Sequence, residues 1–151
     1  MKKIVGLVSV FILILGTIAS CSKEYKLTMY QITSGWEDDF TSDKSISDPD
    51  VKAVYLQILD DLGSVSGLDS WQVEILNDKY EKDDQLALDR YNSKLQLVKA
   101  AEARCRKKIE ELGTQGGSSF HLTFVCKLSR WVAADSATKH MQEYRFELRY
   151  N

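Results

Sequence analysis

The chain is poor in the residues that mark most recognisable sites. Its 151 residues include two histidines, three cysteines and a single proline. Neither His121 nor His140 has a carboxylate beside it or a serine in a hydrolase-type motif, so nucleophilic catalysis by a triad finds no support. Cys105 and Cys126 lack a further Cys or His at ligand spacing, which argues against zinc. Basic residues form no run, and the chain carries a formal net charge of −2. A phosphate-backbone partner needs a basic patch that displaces counterions, so nucleic acid is excluded as a partner. Asp38, Asp39, Asp43, Asp48 and Asp50 suggest calcium, but the alternation of oxygen donors around a glycine is missing. A solvated acidic loop explains them better. No cofactor is indicated, no repeat is present, and no catalytic residue stands out.

What is present begins with a leader. Lys2 and Lys3 form a positive start, Ile4 to Gly16 an apolar stretch, and Thr17, Ala19 and Ser20 a small-residue close. The apolar stretch falls short of the ~20 residues that a helix needs to cross a bilayer. That three-part pattern reads as an export signal over residues 1–20. Residues 21–151 then form one domain, long enough for a single hydrophobic core.

The end of the leader, Ile18-Ala19-Ser20-Cys21, resembles the lipobox of bacterial lipoproteins. The resemblance covers the leader alone. It implies cleavage before Cys21, diacylglycerol on its sulfur, acylation of the new amino group, and a partner in the membrane itself. Acyl chains at ~0.8 kcal/mol per buried CH₂ make such an anchor durable when two or three are present. Ser22 stands where an aspartate retains Gram-negative lipoproteins at the inner membrane, so the family rule points to the outer membrane. Both its periplasmic and its outer surface are open to the domain. Tyr25 follows the anchor by four residues, which leaves almost no tether.

Periodicity then predicts the order β-α-β-α-β-β. Tyr25 to Thr33 alternates, with Tyr25, Leu27 and Met29 on one side and Lys26, Thr28 and Tyr30 on the other, as a strand does. Ser34 to Ser47 reads as a polar loop holding Trp36 and Phe40. Asp48-Pro49-Asp50 opens a helix whose apolar stripe runs Val51, Val54, Tyr55, Ile58, Leu59, Leu62, with Gly63 as a left-handed stop. Trp71, Val73 and Ile75 suggest a short strand. Asp84 to Leu112 contains no Gly or Pro and keeps a stripe of Leu88, Tyr91, Leu95, Val98, Cys105, Ile109 and Leu112. Phe120 to Ser129 and Glu143 to Tyr150 alternate as an antiparallel hairpin, separated by a loop over 132–142. The expected fold is an α+β two-layer sandwich, a mostly antiparallel sheet of about four strands covered on one face by two helices.

Two expectations about sites follow. Cys105 and Cys126, both facing inward and exported to an oxidising compartment, are expected to form a disulfide, the alternative being two separate buried thiols. The wet face of the hairpin carries His121, Thr123, Lys127, Glu143, Arg145, Glu147 and Arg149, with Trp131 at one end. Its bland reading is a solvated face of cross-strand ion pairs. Its functional reading is a contact surface built on Trp131, Arg145 and Arg149, with Trp36 and Phe40 as a second candidate pair. The expected function is a non-enzymatic, lipid-anchored binding module of the cell envelope, its partner a protein or an envelope polymer. The rivals are a small envelope hydrolase with scattered carboxylates, and a structural or assembly lipoprotein of an outer-membrane complex.

Overall fold

The first helix shows how local chemistry sets the elements. The computed structural model describes residues 23–39, 46–113 and 118–151. Within it, α1 spans Pro49–Gly63 and starts as its sequence dictates. The Asp48 carboxylate accepts from the Asp50 and Val51 amides at 2.8 and 3.1 Å. Pro49 occupies the first turn, where its missing N–H costs nothing. The end differs from expectation. Gly63 is the last helical residue and not a left-handed cap; Ser64 closes the helix in right-handed geometry by donating its amide to Asp60 O. Val51, Tyr55, Ile58 and Leu62 are its buried stripe.

The second helix, α2, runs Glu81–Leu112, 32 residues or about 48 Å. It follows strand β2, Gly67–Leu76, through a turn in which Asn77 and Asp78 both have positive φ, a geometry those two residue types tolerate. The turn is tied to the residue just ahead of the first strand. The Asn77 amide donates to Glu24 O, and Asn77 Oδ1 accepts from the Glu24 amide at 2.9 Å. Gly113, at φ 64, ends α2 in a conformation open to glycine.

Four strands make one antiparallel sheet in the order β2-β1-β3-β4, with β1 Tyr25–Asp39, β3 Phe120–Val132 and β4 Ala137–Tyr150. The element order and the α+β class are those the periodicity indicates. Two strands are longer than expected. The polar stretch Ser34–Asp39, expected in a loop, continues β1 along β3 with a register shift between Trp36 and Asp38. Residues 137–142, expected in a loop with His140, are the first part of β4, turned by the short 3-10 helix Ala133–Asp135. A second shift between Leu128 and Ser129 accommodates Met141 as an extra residue, so strict alternation is broken there.

Both helices cover one face of the sheet. Tyr30, Ile32, Leu122, Phe124, Cys126, Leu128, Phe146 and Leu148 point into that layer beside Tyr55, Ile58, Tyr91 and Val98. In β1 the covered set is therefore Thr28, Tyr30 and Ile32. The more obviously apolar set, Tyr25, Leu27 and Met29, lies on the other face. One polar cluster joins the layers. Asp84, in the first turn of α2, accepts from the Tyr30 hydroxyl at 2.6 Å and from Arg130 Nη1 at 2.7 Å. The Arg130 guanidinium also lies 3.9 Å from the Tyr80 ring centre. Arg130 keeps only 11% of its side-chain surface exposed and Asp84 24%. Removing one partner of a buried pair costs about 3–5 kcal/mol, and partial exposure lowers that here. Asp84→Ala is expected to destabilise the domain by about 2–3 kcal/mol in equilibrium urea unfolding. A change below about 0.5 kcal/mol, the scale of an ordinary surface substitution, would show that the cluster does not hold α2 to the sheet.

Candidate functional site

The candidate site is the open face of the sheet, the side that no helix of the described residues covers. Along β3 it presents His121, Thr123, Val125, Lys127, Ser129 and Trp131, and along β4 Thr138, His140, Glu143, Arg145, Glu147 and Arg149. The residues expected on the wet face of the hairpin are all found there. Along β1 the same face carries Tyr25, Leu27, Met29, Gln31, Thr33, Gly35 and Glu37.

Its distal half is an ionic lattice. The Arg145 guanidinium pairs with Glu37 and with Glu143. Arg149 pairs with Glu147 at 3.0 Å, and Lys127 with Glu143 at 3.6 Å. His121 Nε2 lies 3.5 Å from Glu147. The Arg145–Glu37 contact is informative because its partners sit on β4 and β1, with β3 between them. At ~4.8 Å per strand the pair spans about 10 Å and roofs the intervening Val125. Val125 is buried under it, although no helix of the described residues covers this face. Beside the roof lies an open hollow of about 400 Å³, bordered by Thr33, Gly35, Glu37, Val125 and Lys127. It exists because Gly35 contributes no side chain: a Cβ built there would meet nothing within 4 Å.

The candidate contact residues are not gathered in one place. Arg145 and Arg149 share the distal half, opposite Val125 and His121. Trp131 pairs in register with Met29 and Thr138 at the other end of β3. Six residues separate it from Val125, about 20 Å along a strand. Trp36 belongs to the covered face, where its ring meets Phe124 edge-on at 5.4 Å; it packs against the core. Phe40 and Asp43 fall outside the described residues, as do the leader and Cys21. Asp48 acts as a helix cap. Among the described residues no group of three or more His, Cys, Asp or Glu side chains could hold a metal ion.

Cys105 and Cys126, expected to pair, are both free, buried thiols. The reason is their level along α2. The Tyr91 hydroxyl donates to Cys126 O at 3.0 Å, and Lys94 acts on the same thiol. Cys105 instead responds to Asp61 and Lys108. Eleven residues from Lys94 to Cys105 are about 16 Å of helix, whereas a disulfide needs Cα atoms within ~7 Å. Both thiols face the same layer, at levels about 16 Å apart along α2.

Electrostatics separates structural from chemical groups. Asp61 is held below the usual carboxylate range by the Arg104 guanidinium, which it binds bidentately, with Lys108 adding to it. Asp78 is likewise lowered by its hydrogen bond from Lys26. Both displaced carboxylates thus favour the charged form, the opposite of what a general acid requires. Burial, followed by the hydrogen bond to Asp84, pushes the Tyr30 hydroxyl far above its ordinary value.

The model of known families, the characterised proteins and the solved structures contain no match to this chain. No helix of the described residues is long and apolar enough to cross a membrane.

Two outcomes follow from the buried thiols. A thiol reagent should find no reactive cysteine among Cys105 and Cys126 in the folded protein and both after unfolding, and a non-reduced peptide map joining them would contradict this. The second concerns alkali. Burial raises the Cys105 thiol from 9.0 to about 11 and the Tyr91 hydroxyl from 10.0 to about 12. The folded state therefore keeps protons that the unfolded chain has lost, so the associated stability is complete below pH 9 and disappears as pH rises through these raised values. Unfolding free energy should fall above pH 9, and Cys105→Ala should remove the earlier part of the fall. A flat profile to pH 11 would contradict the assignment.

Proposed function

We propose that this chain is a lipoprotein of the bacterial cell envelope whose domain is a binding module, held to the membrane at Cys21 and using the open face of its sheet. The carrying observation is the leader that closes on Ile18-Ala19-Ser20-Cys21, four residues ahead of β1. An anchor that near fixes where the domain works: against the membrane, on a partner within reach of it. The outer membrane is the expected one, following Ser22.

The open face supports binding over chemistry. Its charged groups are engaged with one another in a lattice, and the carboxylates with displaced pKa values are stabilised as anions. A lattice of alternating Glu and Arg beside a hollow suits a polar protein segment or an envelope polymer with charges of both signs. Opening the Arg145–Glu37 roof would expose Val125 to such a partner and release two charges to it. Arg is among the residues that most often dominate interfaces.

Two experiments test the two halves. Wild-type protein in a bacterial host should incorporate labelled palmitate and Cys21→Ala should not; absence of label in the wild type would overturn the anchor. For the face, Gly35→Leu fills the hollow without strain, and Arg145→Ser with Arg149→Ser removes the lattice. The lattice pairs are exposed, so the double variant is expected to lose about 1 kcal/mol or less. Crosslinking capture of the envelope partner by the anchored protein should fall at least about tenfold in both variants, a loss of about 1.4 kcal/mol in binding. Undiminished capture with both folds intact would remove the distal face from consideration.

A further inference from the structure

Most of the apolar area of the open face gathers at one end of the sheet, with Leu68, opposite Thr33, standing apart. At the end where β1 begins, Tyr25 and Leu27 are 58% and 45% exposed. The register sets Tyr25 beside Leu76 of β2, and Met29 beside Trp131 of β3. These five side chains form one continuous area, and their other neighbours on that face are uncharged, Gln72, Ser129 and Thr138, apart from Glu74 on the edge strand. The opposite end of the same face holds the lattice of Glu37, Lys127, Glu143, Arg145, Glu147 and Arg149. Twelve residue steps along β1, or about 40 Å, separate Tyr25 from Glu37. The sheet face is therefore amphipathic along the strand axis.

We infer that the Tyr25/Leu27/Met29/Leu76/Trp131 area lies in the interfacial layer of the bilayer that holds the anchor. The inference rests on the lipid-anchored reading of Cys21. Chain length selects the occupant. Three residues stand between Cys21 and Tyr25, and four peptide steps reach at most about 14 Å. The apolar end of the face thus cannot leave the neighbourhood of the lipid, whereas the charged end is far from it. Residue chemistry agrees. Trp and Tyr are enriched where an apolar body meets hydrocarbon and a polar tip meets headgroups, and Leu27, Met29 and Leu76 supply further apolar area. Of the other strongly exposed leucines, Leu68 lies farther along β2 opposite Thr33, and Leu56, Leu86 and Leu97 lie on the helices across the sheet, scattered singly. With the apolar end in the interface, the charged end is directed away from the membrane, toward the partner.

The test uses the full lipidated protein in 3:1 phosphatidylethanolamine/phosphatidylglycerol vesicles, a composition chosen as bacterial, with bromine placed on the shallow acyl carbons. Trp36 and Trp71 both face the helices, where Trp71 stacks on Tyr30, so the difference between wild type and Trp131→Phe isolates Trp131. A side chain seated about 5–10 Å into the boundary should lose at least about half of its emission to the bromolipid. Trp131→Phe should show almost no quenching and an unchanged melt. Unquenched Trp131 in protein that carries palmitate and floats with the vesicles would overturn the inference and leave the anchor standing. Protein without palmitate that fails to float would overturn both. Efficient crosslinking between copies of Leu27→Cys in the vesicles would also overturn it, by assigning the area to a second chain.

Discussion

The position of α2 over the sheet depends on Asp84. That single carboxylate stands in the first turn of a 32-residue helix and accepts from Tyr30 of β1 and Arg130 of β3. The two strands it binds are the central pair, so one residue fixes the helix start relative to both. It also meets the positive end of the helix dipole. Farther along, Tyr91 reaches Cys126 O, and the Tyr144 hydroxyl donates to Glu102. These three polar contacts set α2 along β3 and β4, while the apolar stripe between them fills the layer without itself choosing a register. Asp61 with Arg104 and Lys108 then fastens α1 to the far part of α2.

A sheet covered on one side must make its other side soluble, and here the solution differs from end to end. The distal half protects the backbone and the central Val125 with paired Glu, Arg and Lys side chains. The proximal half leaves Tyr25 and Leu27 exposed, with Met29, Leu76 and Trp131 half-buried beside them. A soluble domain gains nothing from that arrangement, since exposed apolar area of this kind invites association. On the proposed lipid-anchored reading, a domain tethered by a few residues would gain orientation from it: lipid and patch would make two contacts with one bilayer, and two contacts define a direction that a single flexible tether does not.

Much of this architecture was legible from residue patterns, and the exceptions have physical causes. Asp48-Pro49-Asp50 announced α1 because a cap, a proline and an acid each act within one turn. Phe120–Ser129 of β3 and Glu143–Tyr150 of β4 were legible because their side chains alternate between the helix-covered face and the open one. Ser34–Asp39 was not, since this end of β1 has β3 as its described neighbour on one edge and contributes only Trp36 to the core. Residues 137–142 were hidden by the irregularity at Met141, which breaks the period of two. In β1 the pattern itself misled: Thr28 and Tyr30 are covered because their polar atoms find partners, whereas the apolar Leu27 and Met29 remain outside. The same limit applies to the site. Sequence placed Trp131, Arg145 and Arg149 on one face, correctly, but alternation carries no distance, so it could not show that they occupy opposite ends. Nor could helical periodicity show that Cys105 lies about 16 Å along the helix from the turn above Cys126.

In the proposed reading the anchor at Cys21 gives the face its direction and the domain its place, so the state of residue 21 decides that reading. Intact-mass spectrometry of the protein extracted from the membranes of the bacterium that makes it measures that state without a label or a variant. The account predicts an N-terminus at Cys21 and a mass above that of the amino acids by a diacylglycerol and, where the amino group is acylated, by a third acyl chain. A mass that still includes the residues ahead of Cys21, or a cleaved chain with no lipid, would contradict it.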